Sequence, residues 1–416
     1  MTTSDAAPEP RRFTLPCGLP VVIEPMPSCA SVAVSWLLPL GDSGDDLSRQ
    51  GEAAILSELA LRGSGDLDSR GFSDALDRLG VQRSLANGNR HLRLGATMLG
   101  DRLADTLPLL VDLVRRPRLP SDALDAVRSL CLQSLESLED EPQRLAMLRL
   151  AERHQPSPFN RTGFGDAEGL RAIRIDHLRT RWARDVRPGG SILAIAGRVD
   201  PEAIERRLAE LLEGWEGSAP EPTELAKPTR GTTRIPQDSA QVHLGMALDA
   251  PPARDPDAAA WALAIRILGG GASSRLFVEL REKRGLCYSV AASAALGRDR
   301  GIVSIYAGST PQRIGESRSL ILDGLAGISQ GIDESEFRRA SVALRRSLLA
   351  QSESTTSRAA QLASDLDRLG RPRSLAEIAC EAAEVDLDRL RAFTRDRLDL
   401  DWIEGRSEVH LGPTTS

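Results

Sequence analysis

Aromatic side chains make up only 3% of this 416-residue chain. Its core must therefore be filled mainly by Leu, Ala, Val and Ile. Surfaces that stack bases on exposed rings are argued against. Cysteine is sparse as well. Cys17, Cys29, Cys131, Cys287 and Cys380 are scattered, odd in number and without CxxC spacing. That pattern fits neither a disulfide frame nor a zinc knuckle, and reads as reduced thiols in the cytoplasm. There are five histidines, His91, His154, His177, His243 and His410, and no two lie at metal-ligand spacing. No run approaches the roughly 18 apolar residues of a membrane-spanning helix. The polar stretch 1–12 lacks the apolar segment of a secretion signal. Net charge is -6 with the signs interspersed, so no basic tract is available to follow phosphates. Neither a G-x-S-x-G elbow nor a phosphate loop is present.

What is present is a long duplication. A Pro-rich stretch of low hydrophobicity, 216–230, divides the chain almost in half. The predicted domains are 1–215 and 231–416, each near the usual domain size. Both halves run through the same elements. A strand (31–38; 241–248) leads into an acidic loop (41–46; 253–257) and an apolar helix (51–61; 258–268). A shorter amphipathic helix follows (69–79; 274–284), then two strands (83–86 and 91–98; 287–295 and 302–307). A helix (103–114; 314–328) and a long helix (121 to about 152; 334 to about 351) come next. Each half closes on a helix and a strand (175–186 and 191–196; 385–398 and 407–411). A period of about 200 residues means duplicated domains, since solenoid repeats run about 20–50. The mixture without strict βαβ alternation predicts an α+β fold of two homologous domains, each a mainly antiparallel sheet with helices packed on one face.

The most informative string is Gly269-Gly270-Gly271-Ala272-Ser273-Ser274-Arg275-Leu276-Phe277, followed by Leu280-Arg281-Glu282-Lys283-Arg284-Gly285-Leu286-Cys287-Tyr288-Ser289-Val290. A glycine run ends one helix, a short basic helix stops at Gly285, and a strand begins at once. This predicts a helix–turn–strand corner that brings Arg281 and Tyr288 together, with both polar tips facing one cavity. In this order the string resembles the C-terminal half of the pitrilysin/insulinase-type zinc peptidases, which include the mitochondrial processing peptidase. The resemblance covers nearly the whole chain. Gln155-Pro156-Ser157-Pro158-Phe159 and Gly163-Phe164-Gly165-Asp166 are similar to a loop and turn of the family's first half, and the strand at 192–200 to its apolar strand.

In that family the chemistry lies in an inverted zinc motif, HxxEH, on the first apolar helix. Aligned on Gly51, those positions are Ala54, Ser57 and Glu58. A further glutamate ligand falls at Gln133 or Ser134, ahead of Glu139-Asp140-Glu141-Pro142. The resemblance thus implies a chain without metal, cofactor or base of its own. It also implies that Arg281 and Tyr288 hold the substrate backbone, and that peptide adds as a strand at Ser84, Leu85 and Ala86. Some family members are two-chain assemblies in which one chain carries zinc and the other supplies the clamp. The expected partners are a zinc-carrying homologous subunit and a peptide, with no nucleic acid or membrane, and a second copy of this chain remains open. The alternative is a non-catalytic scaffold of the same fold. There, Tyr288 bonded to backbone and Arg281 on an acidic neighbour would be a structural pair.

Overall fold

The computed structural model describes residues 9–413, with side chains outside 349–352. Two compact units result, and each draws on both halves of the sequence. Among the described residues, the first comprises those up to 136 with 161–225 and 351–374, and the second comprises 137–160, 226–350 and those from 375 onward. The Pro-rich stretch predicts one boundary, at 216–230. The units are instead discontinuous, because one helix of each half packs on the sheet of the other unit.

The first unit is built on a six-stranded sheet. Its order is Arg11–Thr14, Pro20–Pro25, Ile192–Gly197, Ser31–Leu38, Leu92–Leu99, Gln82–Asn87. Ser31–Leu38 is buried on both faces, as befits a central strand of alternating Val, Ala, Trp and Leu. Val32, Val34, Trp36 and Leu38 meet the main helical core. Ala33 and Leu37 face the other way, toward Ala359, Leu362, Ala363 and Leu366 of the Thr355–Leu369 helix. That helix is anchored by Arg358, fully buried, whose guanidinium clasps Glu24 through Nε at 2.8 Å and Nη2 at 2.5 Å.

The second unit repeats the plan with five strands: Cys287–Leu296, Gly301–Ser309, Val242–Ala250, Ser407–Gly412, Gly231–Pro236. Each sheet contains one parallel pair at the same place. Pro20–Pro25 runs parallel to Ile192–Gly197, and Gly231–Pro236 runs parallel to Ser407–Gly412. The remaining ladders are antiparallel. The α+β class and the duplication therefore hold. Beyond the helices on the main core face, the second sheet carries the Pro142–His154 helix, whose Ala146 and Leu150 pack on Ala247, Val409 and Leu411. His154 fixes its end through Ser407 Oγ at 3.0 Å.

One expected helix, 121 to about 152, is in fact two. Leu124–Glu136 belongs to the first unit and Pro142–His154 to the second. Pro142 supplies no N–H and so begins a helix rather than continuing one. Among the described residues, no helix is long and apolar enough to cross a membrane.

Candidate functional site

The Glu52–Leu59 helix carries the degenerate positions. It starts at Gly51, whose φ of 109° is left-handed. A Cβ there would stand 2.5 Å from Leu170 Cδ2, so only glycine fits. Asp45 caps the first turn, accepting from Gly51 N–H at 2.6 Å and Ala53 N–H at 3.1 Å. Ala54 is half-buried and offers a methyl group. Ser57 is buried, and its hydroxyl donates to the Ala54 carbonyl at 2.7 Å. Glu58 is exposed. Burial first, and then the Glu58 charge, push the Cys131 thiol up to about 11, which leaves that sulfur a poor metal ligand. Gln133 and Ser134 are exposed, and Ser134 Oγ donates to the Leu130 carbonyl. Among the described residues, no three of His, Cys, Asp and Glu stand together as a metal cluster. The residues present do not fit the zinc of the inverted motif.

Beside this helix the structure reveals a buried ionic network that the sequence reading missed. Arg181, from the Ile175–Asp185 helix, contacts Asp45, Glu52 and Asp185 and donates to the Gly41 carbonyl at 2.6 Å. All four side chains are almost fully buried. Arg161 donates to the carbonyls of Asp42 and Asp45. Burial, with Asp45 adding to it, pushes Asp42 up to about 7. The signals were the acidic loop at 41–46 and the Arg181–Asp185 spacing of four. The network locks the helix start and the loop together. It presents no open carboxylate pair for chemistry.

In the second unit the corner forms as expected but with different winding. Ala258–Gly269 ends where Gly269 lies against the edge strand; a Cβ on it would meet Ala292 N at 2.5 Å. Within the short helix expected over 274–284, Phe277–Lys283 is wound as a π-helix. Gly285, with φ 59°, turns the chain, and Leu286 N–H closes the corner on the Leu280 carbonyl at 2.7 Å. Cys287–Leu296 then begins at the sheet edge with an irregularity. Cys287 pairs with Ser309 and Ser289 with Gly308, so Tyr288 is the extra residue of a β-bulge. Bulges re-aim a side chain out of the ladder. Tyr288 is accordingly 62% exposed.

Arg281 is exposed too, its guanidinium 5.0 Å above the Phe277 ring. Among the described residues, Arg281 has no ion pair and the Tyr288 hydroxyl no hydrogen bond. The cavity of about 470 Å³ at this corner is lined by Ser274, Glu279, Lys283 and Asp323 but by neither clamp residue. Each polar tip is therefore open to solvent, not aimed into that cavity. In the first unit, Ser84, Leu85 and Ala86 lie on Gln82–Asn87, the edge strand topologically equivalent to Cys287–Leu296. Ser84 and Ala86 are exposed and Leu85 is half-buried.

Residues 172–344 match a family model described as the Peptidase M16 inactive domain. An uncharacterized zinc protease of Mycobacterium tuberculosis is 29% identical over 403 residues, covering 94% of this chain and 92% of the relative. Another, from Streptomyces coelicolor, is 25% identical over 400 residues, covering 93% and 87%. Among solved structures, a peptidase M16 inactive domain from Pseudomonas fluorescens superposes with a TM-score of 0.88 at 23% identity, covering 98% of this chain and 99% of that one. A protease from Helicobacter pylori gives 0.87 at 18% identity, with 98% and 100% covered. Similarity across the full length, duplicated sheets of one topology and the glycine-to-tyrosine corner all agree. Over residues 172–344 this chain is similar to the Peptidase M16 inactive domain, and over nearly its whole length it has the fold of these solved structures.

Proposed function

We propose that this chain is the zinc-free, peptide-holding subunit of a heteromeric pitrilysin-type peptidase, whose homologous partner supplies the zinc. One observation carries the reading: Arg281 and Tyr288 are exposed, the guanidinium resting only on the Phe277 ring and the phenol without a hydrogen bond among the described residues. A structural pair would be spent on backbone or on an acidic neighbour. A guanidinium and a phenol left open are donors for peptide carbonyl oxygens. At a scissile carbonyl, the phenol would donate to the developing oxyanion, worth a few kcal/mol. The edge strand Gln82–Asn87 offers its free backbone groups to an extended peptide, giving affinity with little sequence preference. The chain alone cuts nothing on this reading, because Ala54, Ser57 and Glu58 supply neither ligand set nor base.

The test is co-purification from the native source with metal analysis of the complex, then Tyr288→Phe in the reconstituted pair. Turnover should fall about a hundredfold or more with assembly intact. A variant complex that assembles and cleaves at the wild-type rate overturns the clamp. The scaffold reading has one observation in its favour. A chain of complex III2 from Candida albicans has this fold, with a TM-score of 0.82 at 16% identity and 97% and 95% coverage. A scaffold role predicts no peptide binding at all.

A further inference from the structure

Arg93 stands one strand in from the Gln82–Asn87 edge, directly opposite Ala86 in the register. Directly opposed residues of an antiparallel pair share a face. Ala86 with Arg93, Ser84 with Gly95 and Gln82 with Thr97 therefore lie on one side of the sheet. It is the side carrying the Thr355–Leu369 helix, since the Thr97 and Thr356 hydroxyls meet at 2.9 Å. The edge strand's three residues on that side are all exposed. Two of them are small, and Gly95 behind them has no side chain. The surface from Arg93 outward is consequently a shallow trough.

Arg93 is half-buried. Among the described residues, it makes no hydrogen bond and no ion pair. Asp367 on the adjacent helix is turned to His91, 4.0 Å from Nε2. Burial first, and then the like charge of Arg368, hold Arg93 below the ordinary guanidinium pKa, with the Asp367 charge offsetting part of the effect. Asp367, also facing His91, outweighs neither burial nor the second cation, so the desolvated pair of arginines still favours a further anion. A strand added outside the edge would lie two strand spacings, roughly 10 Å, from the strand of Arg93. The long arms of an arginine and a glutamate close that gap across Ala86.

We infer that Arg93, with Arg368 beside it, reads an acidic side chain of the bound peptide at the position next to Ala86. The inference rests on the proposed placement of peptide at this edge and adds a substrate class, extended peptides bearing a Glu or Asp there. The test uses the full chain and two short fluorescent peptides, identical except for a central Glu or Gln. Anisotropy gives the affinities, and hydrogen exchange of the amides of Gln82–Asn87 reports strand addition. The Glu peptide should bind about tenfold more tightly. The difference should vanish in Arg93→Gln and shrink with added salt, while both peptides at saturation protect the edge amides. Arg93 has no internal bond to lose, so the variant should keep the wild-type thermal midpoint. Arg368→Gln, at an exposed position, should reduce the preference and serves as the second variant. Equal affinities with the edge protected overturn the acidic preference and leave peptide binding standing. Protection by neither peptide overturns the placement at this edge, and the preference with it.

Discussion

Asp42 and Ser57 illustrate how a single side chain's surroundings decide its chemistry. The Ser57 hydroxyl is bonded to its own helix, donating to the Ala54 carbonyl. Elemental analysis of the isolated chain should find no stoichiometric zinc; one tightly held zinc per chain would overturn the assignment of these positions. Asp42 is an acid whose burial raises it to about 7. Its folded-state pKa lies above the unfolded value, so its contribution is fully present below about pH 4 and is lost as pH rises through about 7. Relative to Asp42→Asn, the wild type should therefore lose stability between pH 4 and pH 7, by on the order of a few kcal/mol, and level off above. Denaturant melts of both proteins across that range check the slope. A stability difference independent of pH would mean that Asp42 is already ionised in the fold.

The helix start at Gly51 shows the same dependence at the scale of an element. Gly51→Ala must adopt φ near 109° and push Leu170 aside. It should cost about 1–3 kcal/mol, read as a lower thermal midpoint; an unchanged midpoint would show that the loop relaxes freely. Elements were largely legible in the sequence where one period ran uninterrupted. The strand at 31–38 was read at the bounds observed, Ser31–Leu38, because its apolar run suits a buried central strand. The helix at 103–114 was found within a residue. The π-winding of Phe277–Lys283 was not legible, since hydrophobic spacing over so few residues does not separate the two helix types. Nor was the bulge at Tyr288, which depends on how the facing strand pairs. Of the candidate site, the sequence names the residues but not their surroundings. The exposure of Arg281 and Tyr288, the Arg181 network and the half-buried setting of Arg93 come from packing between distant segments, which no local pattern carries.

At the scale of the whole molecule, the consequence of duplication is an exchange. Five strands of the first sheet follow the strand order of the second, and each sheet is covered on one face by a helix from the other half of the sequence. The Thr355–Leu369 helix hides Val22, Ala33, Leu37, Ile192, Ala194 and Ala196. Its buried Arg358 pairs with Glu24, and a buried pair that loses one member leaves a charge uncompensated. Arg358→Ala should thus destabilise the first unit by about 3–5 kcal/mol. The linker makes a sharper test. It is tied by isolated bridges at Ser218 to Gly189 and at Ala226 to Ser157, with irregular chain between. A protease site inserted within 219–225 lies outside both sheets, so cutting it removes no strand and no core helix. If each unit needs segments from both halves, the nicked fragments 1–225 and 226–416 should co-elute on size exclusion under native conditions. They should part only in denaturant, and fragment 1–225 made alone should bind a hydrophobic dye on the sheet face that its helix has left. Two fragments that separate as folded monomers would show that the exchanged helices are dispensable, and that the chain is two self-sufficient halves joined at 216–230.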